Sequence, residues 1–266
     1  NQNANLVRTS LEKNEFVGPS DDLYLLYTPT GPLLRDCAIR KNSFKYFSSI
    51  ASNRCIQINH TGTLDFSENE FYINSITFTD RHICTINKTI SAWSANAGMN
   101  PGSTRIPTAP NGYQYVSIST GDTHATTEPT WPTTIGSTVV DNGVTWVCEE
   151  LKARVIADKN RVDYVNVRNR GFDILSNSVR FSDNIDFQMA TLAGTDVFCS
   201  GNRIESWTSS TTVNLIIENT TFANVFGNYI NRPFSLNSVV LSLDTVTHAK
   251  VMGNYLGGNS NSSLAR

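Results

Sequence analysis

Apolar residues along this chain alternate with polar ones in short runs, and the runs are separated by breaks rich in Asn, Gly and Ser. Alternation sends successive side chains to opposite faces, which is the signature of a strand. No stretch carries the 3.6-residue periodicity that an amphipathic helix of three turns requires. The pattern predicts an all-β chain built of short strands.

One six-residue pattern recurs within that alternation: small or apolar, any, apolar, any, any, Asn. It reads "CAIRKN" to Asn42, "LDFSEN" to Asn69, "VIADKN" to Asn160 and "VRFSDN" to Asn184, then "VFCSGN" to Asn202, "ANVFGN" to Asn228 and "AKVMGN" to Asn254. The chain is usually apolar again two residues later, at Phe44, Phe71, Val162, Ile204, Ile230 and Leu256. Successive asparagines lie 27, 91, 24, 18, 26 and 26 residues apart. A period near 25 made of strands, with too little leucine for leucine-rich repeats, predicts a solenoid of stacked strand rows. The expected fold is a right-handed parallel β-helix. Its asparagines would stand at equivalent corners, where Asn tolerates left-handed backbone angles, and would bond amide to amide along the stack.

The 91-residue interval holds one row and roughly sixty extra residues, since solenoid repeats run ~20–45 residues. The expected organisation is therefore a β-helix over residues 1–91, an inserted β module over 92–151, and the β-helix again over 152–266. Within the insertion, "YQYVSIST" alternates, so that Val116 and Ile118 are expected in the core with Tyr113 and Tyr115 facing the other way. "STVV" and "VTWVCEE" flank "DNG", a hairpin turn whose Asn and Gly accept positive φ. Trp131 lies between Pro129 and Pro132, in a stiff loop.

The pattern "PNGYQY…TGDT…TEPTWPTTIGSTVVDNGVTW" resembles a small β module recurrent in bacteriophage tail and baseplate proteins, itself similar to carbohydrate-binding modules of the chitin-binding type. The likeness covers about 45 residues. The expected asparagine-laddered β-helix resembles phage tailspikes by architecture. The resemblance implies a tail appendage of the virion, a homotrimer assembled in the bacterial cytoplasm, that contacts other tail proteins and adheres to a host surface polysaccharide, either capsule or lipopolysaccharide. Tyr113, Tyr115 and Trp131 would then stack on sugar rings, or serve as the module's own core. The alternatives are a polysaccharide depolymerase, as hydrolase or lyase, and a structural shaft without enzymatic activity.

Composition narrows the chemistry. The formal charge is −2 and the pI about 6.1, which argues against binding driven by phosphate neutralisation and hence against nucleic acid. No apolar run approaches the ~20 residues of a membrane span. The chain opens "NQNANLVRTS", without an initiator Met or signal peptide, and is expected to be a piece of a longer protein. Five cysteines without a CxxC are expected to be reduced, buried thiols. The four histidines show no metal-ligand spacing, and no metal or cofactor is expected. A depolymerase needs paired carboxylates. Asp163 and Glu205 stand three residues after their asparagines, and a one-residue slip in the irregular row between them would add Asp186 to the same column.

Overall fold

The computed structural model describes residues 6–19, 26–27, 34–48, 56–75, 84–88, 90–151, 153–165, 171–205, 214–232, 239–258 and 263–265. Among the described residues every regular element is a strand. The principal sheet has fourteen strands, all paired parallel. Two strands of twelve residues, Ile56–Ser67 and Leu215–Phe226, each serve both of its arms. One arm runs from Ile56–Ser67 through Arg154–Asp158, Ser178–Ser182 and Asp196–Ser200 to Leu215–Phe226. The other returns through Met189–Ala193, Gly171–Leu175 and Cys84–Lys88 to Ile56–Ser67.

That pairing corrects the expected fold class. The main sheet closes on itself as an eight-stranded parallel barrel, and the remaining sheets are small, in place of the right-handed solenoid read from the repeat. The cause lies in the middle of the long strands. Gly62 takes a φ of 69° and Asn219 one of 51°, so that a single left-handed residue bends each strand without interrupting it. Asp36, at φ 51°, does the same in Leu34–Arg40, where the register against Ile56–Ser67 shifts. A closed sheet of parallel strands leaves their inner faces to fill one apolar interior. Phe66, Phe71, Phe172, Phe181 and Phe187 are fully buried there and meet mostly edge to face at centroid separations of 5.4–6.1 Å. Phe16, Phe44 and Phe71 stack in succession at 4.9 and 5.1 Å.

The asparagines form one continuous hydrogen-bonded line. In each row the backbone N–H and the Nδ2 of one Asn donate to the Oδ1 of the next: Asn42 to Asn69, then to Asn160, Asn184, Asn202, Asn228 and Asn254. The second Nδ2 hydrogen reaches back to a carbonyl of the preceding row, for example from Asn160 to Phe66 O at 2.9 Å. A buried carboxamide offers two donors and two acceptor lone pairs, and here all four are used. Asn14 adds a rung at the start, from "TSLEKN", whose threonine in the first position hid it from the pattern. The left-handed residue is not the asparagine but the one before it: Lys41, Glu68, Lys159, Asp183, Gly201, Gly227 and Gly253 all have φ between 52° and 65°. The asparagine is selected by its side-chain bonds.

Residues 91–150 make a separate five-stranded sheet, in the order Ser91–Ala92, Thr104–Ile106, Tyr113–Ser117, Val144–Glu150, Thr138–Asp141. Val139 pairs with Trp146 and Asp141 with Val144, and Asn142 in the turn has φ 53°. The module has its own core of Met99, Tyr115, Val144, Trp146 and Cys148. The expected register is corrected here. Ile118 is 57% exposed and Tyr115 is fully buried, so the core lies on the tyrosine face. Val116 is buried on the other face, beside Gln114. On that face Arg35 Nη2 donates to both carboxylate oxygens of Glu149, a tie from Leu34–Arg40 to the module.

Candidate functional site

The exposed side of the module core is an aromatic cluster built on Tyr113–Ser117 and Val144–Glu150. Tyr115 and Trp131 lie with ring centroids 4.2 Å apart, and Trp131 meets Trp146 edge-on at 5.8 Å. Tyr113 and Trp131 are half-buried and pack against that core, whereas Tyr115 and Trp146 are inaccessible. Of the three aromatics expected to stack on sugar, Tyr115 is therefore a support and not a contact surface. Tyr113 and Trp131 keep solvent-facing area.

The loop carrying Trp131 is fixed by side-chain bonds that its two prolines do not supply. Trp131 Nε1 donates to Glu128 Oε1 at 2.7 Å, and the Glu128 carboxylate also accepts from the Thr108 backbone N–H at 2.9 Å and the Thr108 hydroxyl. Tyr115 donates its hydroxyl proton to Pro132 O at 2.7 Å and accepts from Asn111 Nδ2 at 2.7 Å. Partial burial pushes the Glu128 carboxyl up, but the Thr108 hydroxyl, the Trp131 indole and the Thr108 amide outweigh it, and its pKa falls below the ordinary 4.5. On the far side of the module, buried Asp141 accepts from Trp93 Nε1 at 2.8 Å, from the His124 backbone N–H at 2.8 Å and from Trp146 Nε1 at 3.4 Å. Glu128 and Asp141 were not legible as functional positions. The one available signal was an acid three residues before Trp131 in "EPTW".

The expected carboxylate column does not assemble. Phe187, not Asp186, takes the buried position opposite Ile204, because an apolar ring is favoured over a charge in the barrel interior. The row slips by one residue, in the opposite sense to the one that would align Asp186, and Asp186 bulges at φ 62°. It lies 3.4 Å from Arg161 Nε, while Arg161 Nη2 is 3.2 Å from Asp163. Glu205 pairs with Arg203 at 3.2 Å. Each of the three carboxylates is held by an arginine, and the backbone N–H of Glu205 bonds Phe187 O at 3.0 Å, placing it beyond the bulge.

Cys37, Cys84, Cys148 and Cys199 are buried thiols, and Cys55 lies outside the described residues. Burial pushes the Cys199 thiol up to about 12, against a smaller opposing effect of its bond with Asn202. No group of three or more His, Cys, Asp or Glu among the described residues could hold a metal ion. His124 Nδ1 accepts from the Thr126 and Thr127 amides, and His248 stacks on Phe222, so both have local partners. No helix among the described residues is long and apolar enough to cross a membrane. No protein-family model matches the chain, and no curated protein matches it significantly.

Proposed function

We propose that this chain is part of a bacteriophage tail appendage that adheres to a bacterial surface polysaccharide through its inserted module. One observation carries the reading: Trp131 is held at the module surface by the Glu128 bond and by Tyr115 beneath it. A ring fixed in this way loses little conformational freedom when a ligand arrives, and preorganisation of that kind raises affinity without new contacts. Aromatic faces stack on the C–H faces of sugar rings, and Tyr113 lies on the same side of the sheet to extend the platform. The barrel supplies a rigid base. Adhesion is favoured over depolymerisation because Asp163, Asp186 and Glu205 are each paired with arginine and Asp186 bulges out of the row that would join them. Virion localisation, contacts with other tail proteins and a homotrimer belong to the same proposal.

The test is a panel of purified capsular and O-antigen polysaccharides presented to the full chain, followed by Trp131→Ala and Trp131→Phe. The alanine variant should lose roughly tenfold to a hundredfold in affinity, the size of ~1–3 kcal/mol of aromatic stacking known from nucleic-acid bases. The phenylalanine variant should recover part of it. A folded Trp131→Ala variant that binds as the parent does would overturn the reading.

A further inference from the structure

We infer that a second glycan contact lies outside the aromatic cluster, in the cleft where the module overhangs the parallel barrel, and that it takes an uncharged, hydroxyl-rich stretch of polysaccharide. The inference rests on the glycan-binding reading above and specifies where most of the polymer is held. The cleft has a volume of about 610 Å³. Its roof is the end of the module sheet, Gly112 and Glu150, the latter paired across the strands with Tyr113. Its floor is a single register column on the outer face of the barrel.

That column follows from the pairing. Thr63 is the partner of Arg154, Arg154 of Ser178, and Ser178 of Asp196. In-register parallel strands repeat every ~4.8 Å, so these four side chains form a straight line of ~14 Å across the strands. The line runs hydroxyl, guanidinium, hydroxyl, carboxylate. Each sugar hydroxyl can both donate and accept, and such a row answers both halves of that need along its length. The described lining holds one arginine against two acids, Glu150 and Asp196, which disfavours an anionic polymer. Beyond the cleft the column continues to Phe222 and His248, whose rings stack at 5.1 Å and 15° with Phe222 48% exposed. An exposed ring at the end of a polar row is where a sugar face would rest.

Arg154→Ala and Asp196→Ala alter exposed side chains, and Thr195→Trp fills the cleft from its rim. Measured calorimetrically on the full chain with neutral and acidic bacterial polysaccharides, each alanine variant should bind a neutral polymer about tenfold more weakly, the loss of one charge-assisted hydrogen bond. Thr195→Trp should reduce binding at least as far, and all three should keep the parent melting temperature. Parent-like binding by all three, alongside a loss in Trp131→Ala, would overturn the cleft assignment and leave the module reading standing. Preference for an acidic polymer would overturn the ligand class. Absence of polysaccharide binding by the parent chain would remove both readings.

Discussion

Asn69 and Asn160 are 91 residues apart in the chain and occupy neighbouring rungs of one line of hydrogen bonds: Asn69 Nδ2 donates to Asn160 Oδ1 at 3.1 Å and its backbone N–H to the same oxygen at 3.1 Å. The inserted module lies in the interval between the strands they follow, and it is folded away without a change in register. Residues 63–67 of Ile56–Ser67 pair with Arg154–Asp158 residue for residue, as Ser178–Ser182 pairs with Asp196–Ser200. The module lies between Cys84–Lys88 and Arg154–Asp158, two barrel strands that both pair with Ile56–Ser67, and it brings its own core. Its aromatic surface is thereby held on a base that does not depend on it.

Replacing a central rung should be costly. Asn160→Leu removes the acceptor of two Asn69 donors and the donor to Phe66 O, all buried. With each orphaned group costing ~1–3 kcal/mol, the expected loss is about 3–5 kcal/mol of unfolding free energy. Asn254 ends the described line and is half-buried; its side chain accepts from Asn228 and donates to Val225 O and Met252 O where water can replace lost partners. Asn254→Leu should cost clearly less. Urea denaturation of the two variants checks the order, and equal losses would show that the line does not act as a buried network.

One tie between module and barrel is the Arg35–Glu149 pair, with side chains 16% and 33% exposed. Partial exposure weakens it by solvent screening, so a double-mutant cycle with Arg35→Ala and Glu149→Ala should give a coupling of about 1 kcal/mol, falling with added salt. A coupling near zero would show that this pair does not position the module.

The rungs were legible in the sequence because each obeys a local rule: two apolar residues turned inward, then an amide five residues from the first. The closure of the sheet was not. "IQINHTGTLDFS" contains Thr-Gly-Thr, which reads as a turn, yet Gly62 bends the strand opposite Asp36 and pairing resumes on the other side. Bends made by one left-handed residue leave no mark in the alternation. The misplacement of Ile118 and Tyr115 has another origin. Both faces of Tyr113–Ser117 are buried, one by the module core and one towards the barrel, so alternation cannot say which is which. The sense of the slip at Asp186 was not legible for a third reason: a one-residue bulge is decided by whether Phe187 reaches the interior.

Burial of the thiols makes a chemical prediction. Cys37, Cys84, Cys148 and Cys199 are all enclosed, and burial raises the pKa of Cys37, Cys148 and Cys199. The thiolate is the reactive form, so none of the four should be alkylated by iodoacetamide at pH 8 in the folded protein. At most one thiol per chain, Cys55, should react before denaturation and all five after it. Mass spectrometry counts the adducts, and labelling of Cys199 without denaturant would contradict the packing.

The last prediction joins the site to pH through Glu128. Its folded pKa lies below the ordinary 4.5, so the folded module favours the carboxylate that accepts from Trp131 and Thr108. A group depressed on folding contributes stability that is complete above its unfolded value and is lost as pH falls through its folded value. The Trp131 loop should therefore hold from neutral pH down to about 4.5 and loosen below it. Trp131 fluorescence and near-ultraviolet circular dichroism should change there, ahead of the far-ultraviolet signal of the barrel. Glu128→Gln keeps an acceptor oxygen but loses the charge, and should loosen the loop at all pH values while abolishing that acid step. Glycan binding by the parent should weaken over the same interval, because the fixed ring is what the carboxylate maintains. An acid transition unchanged in Glu128→Gln would show that the Glu128 carboxylate does not hold the Trp131 loop.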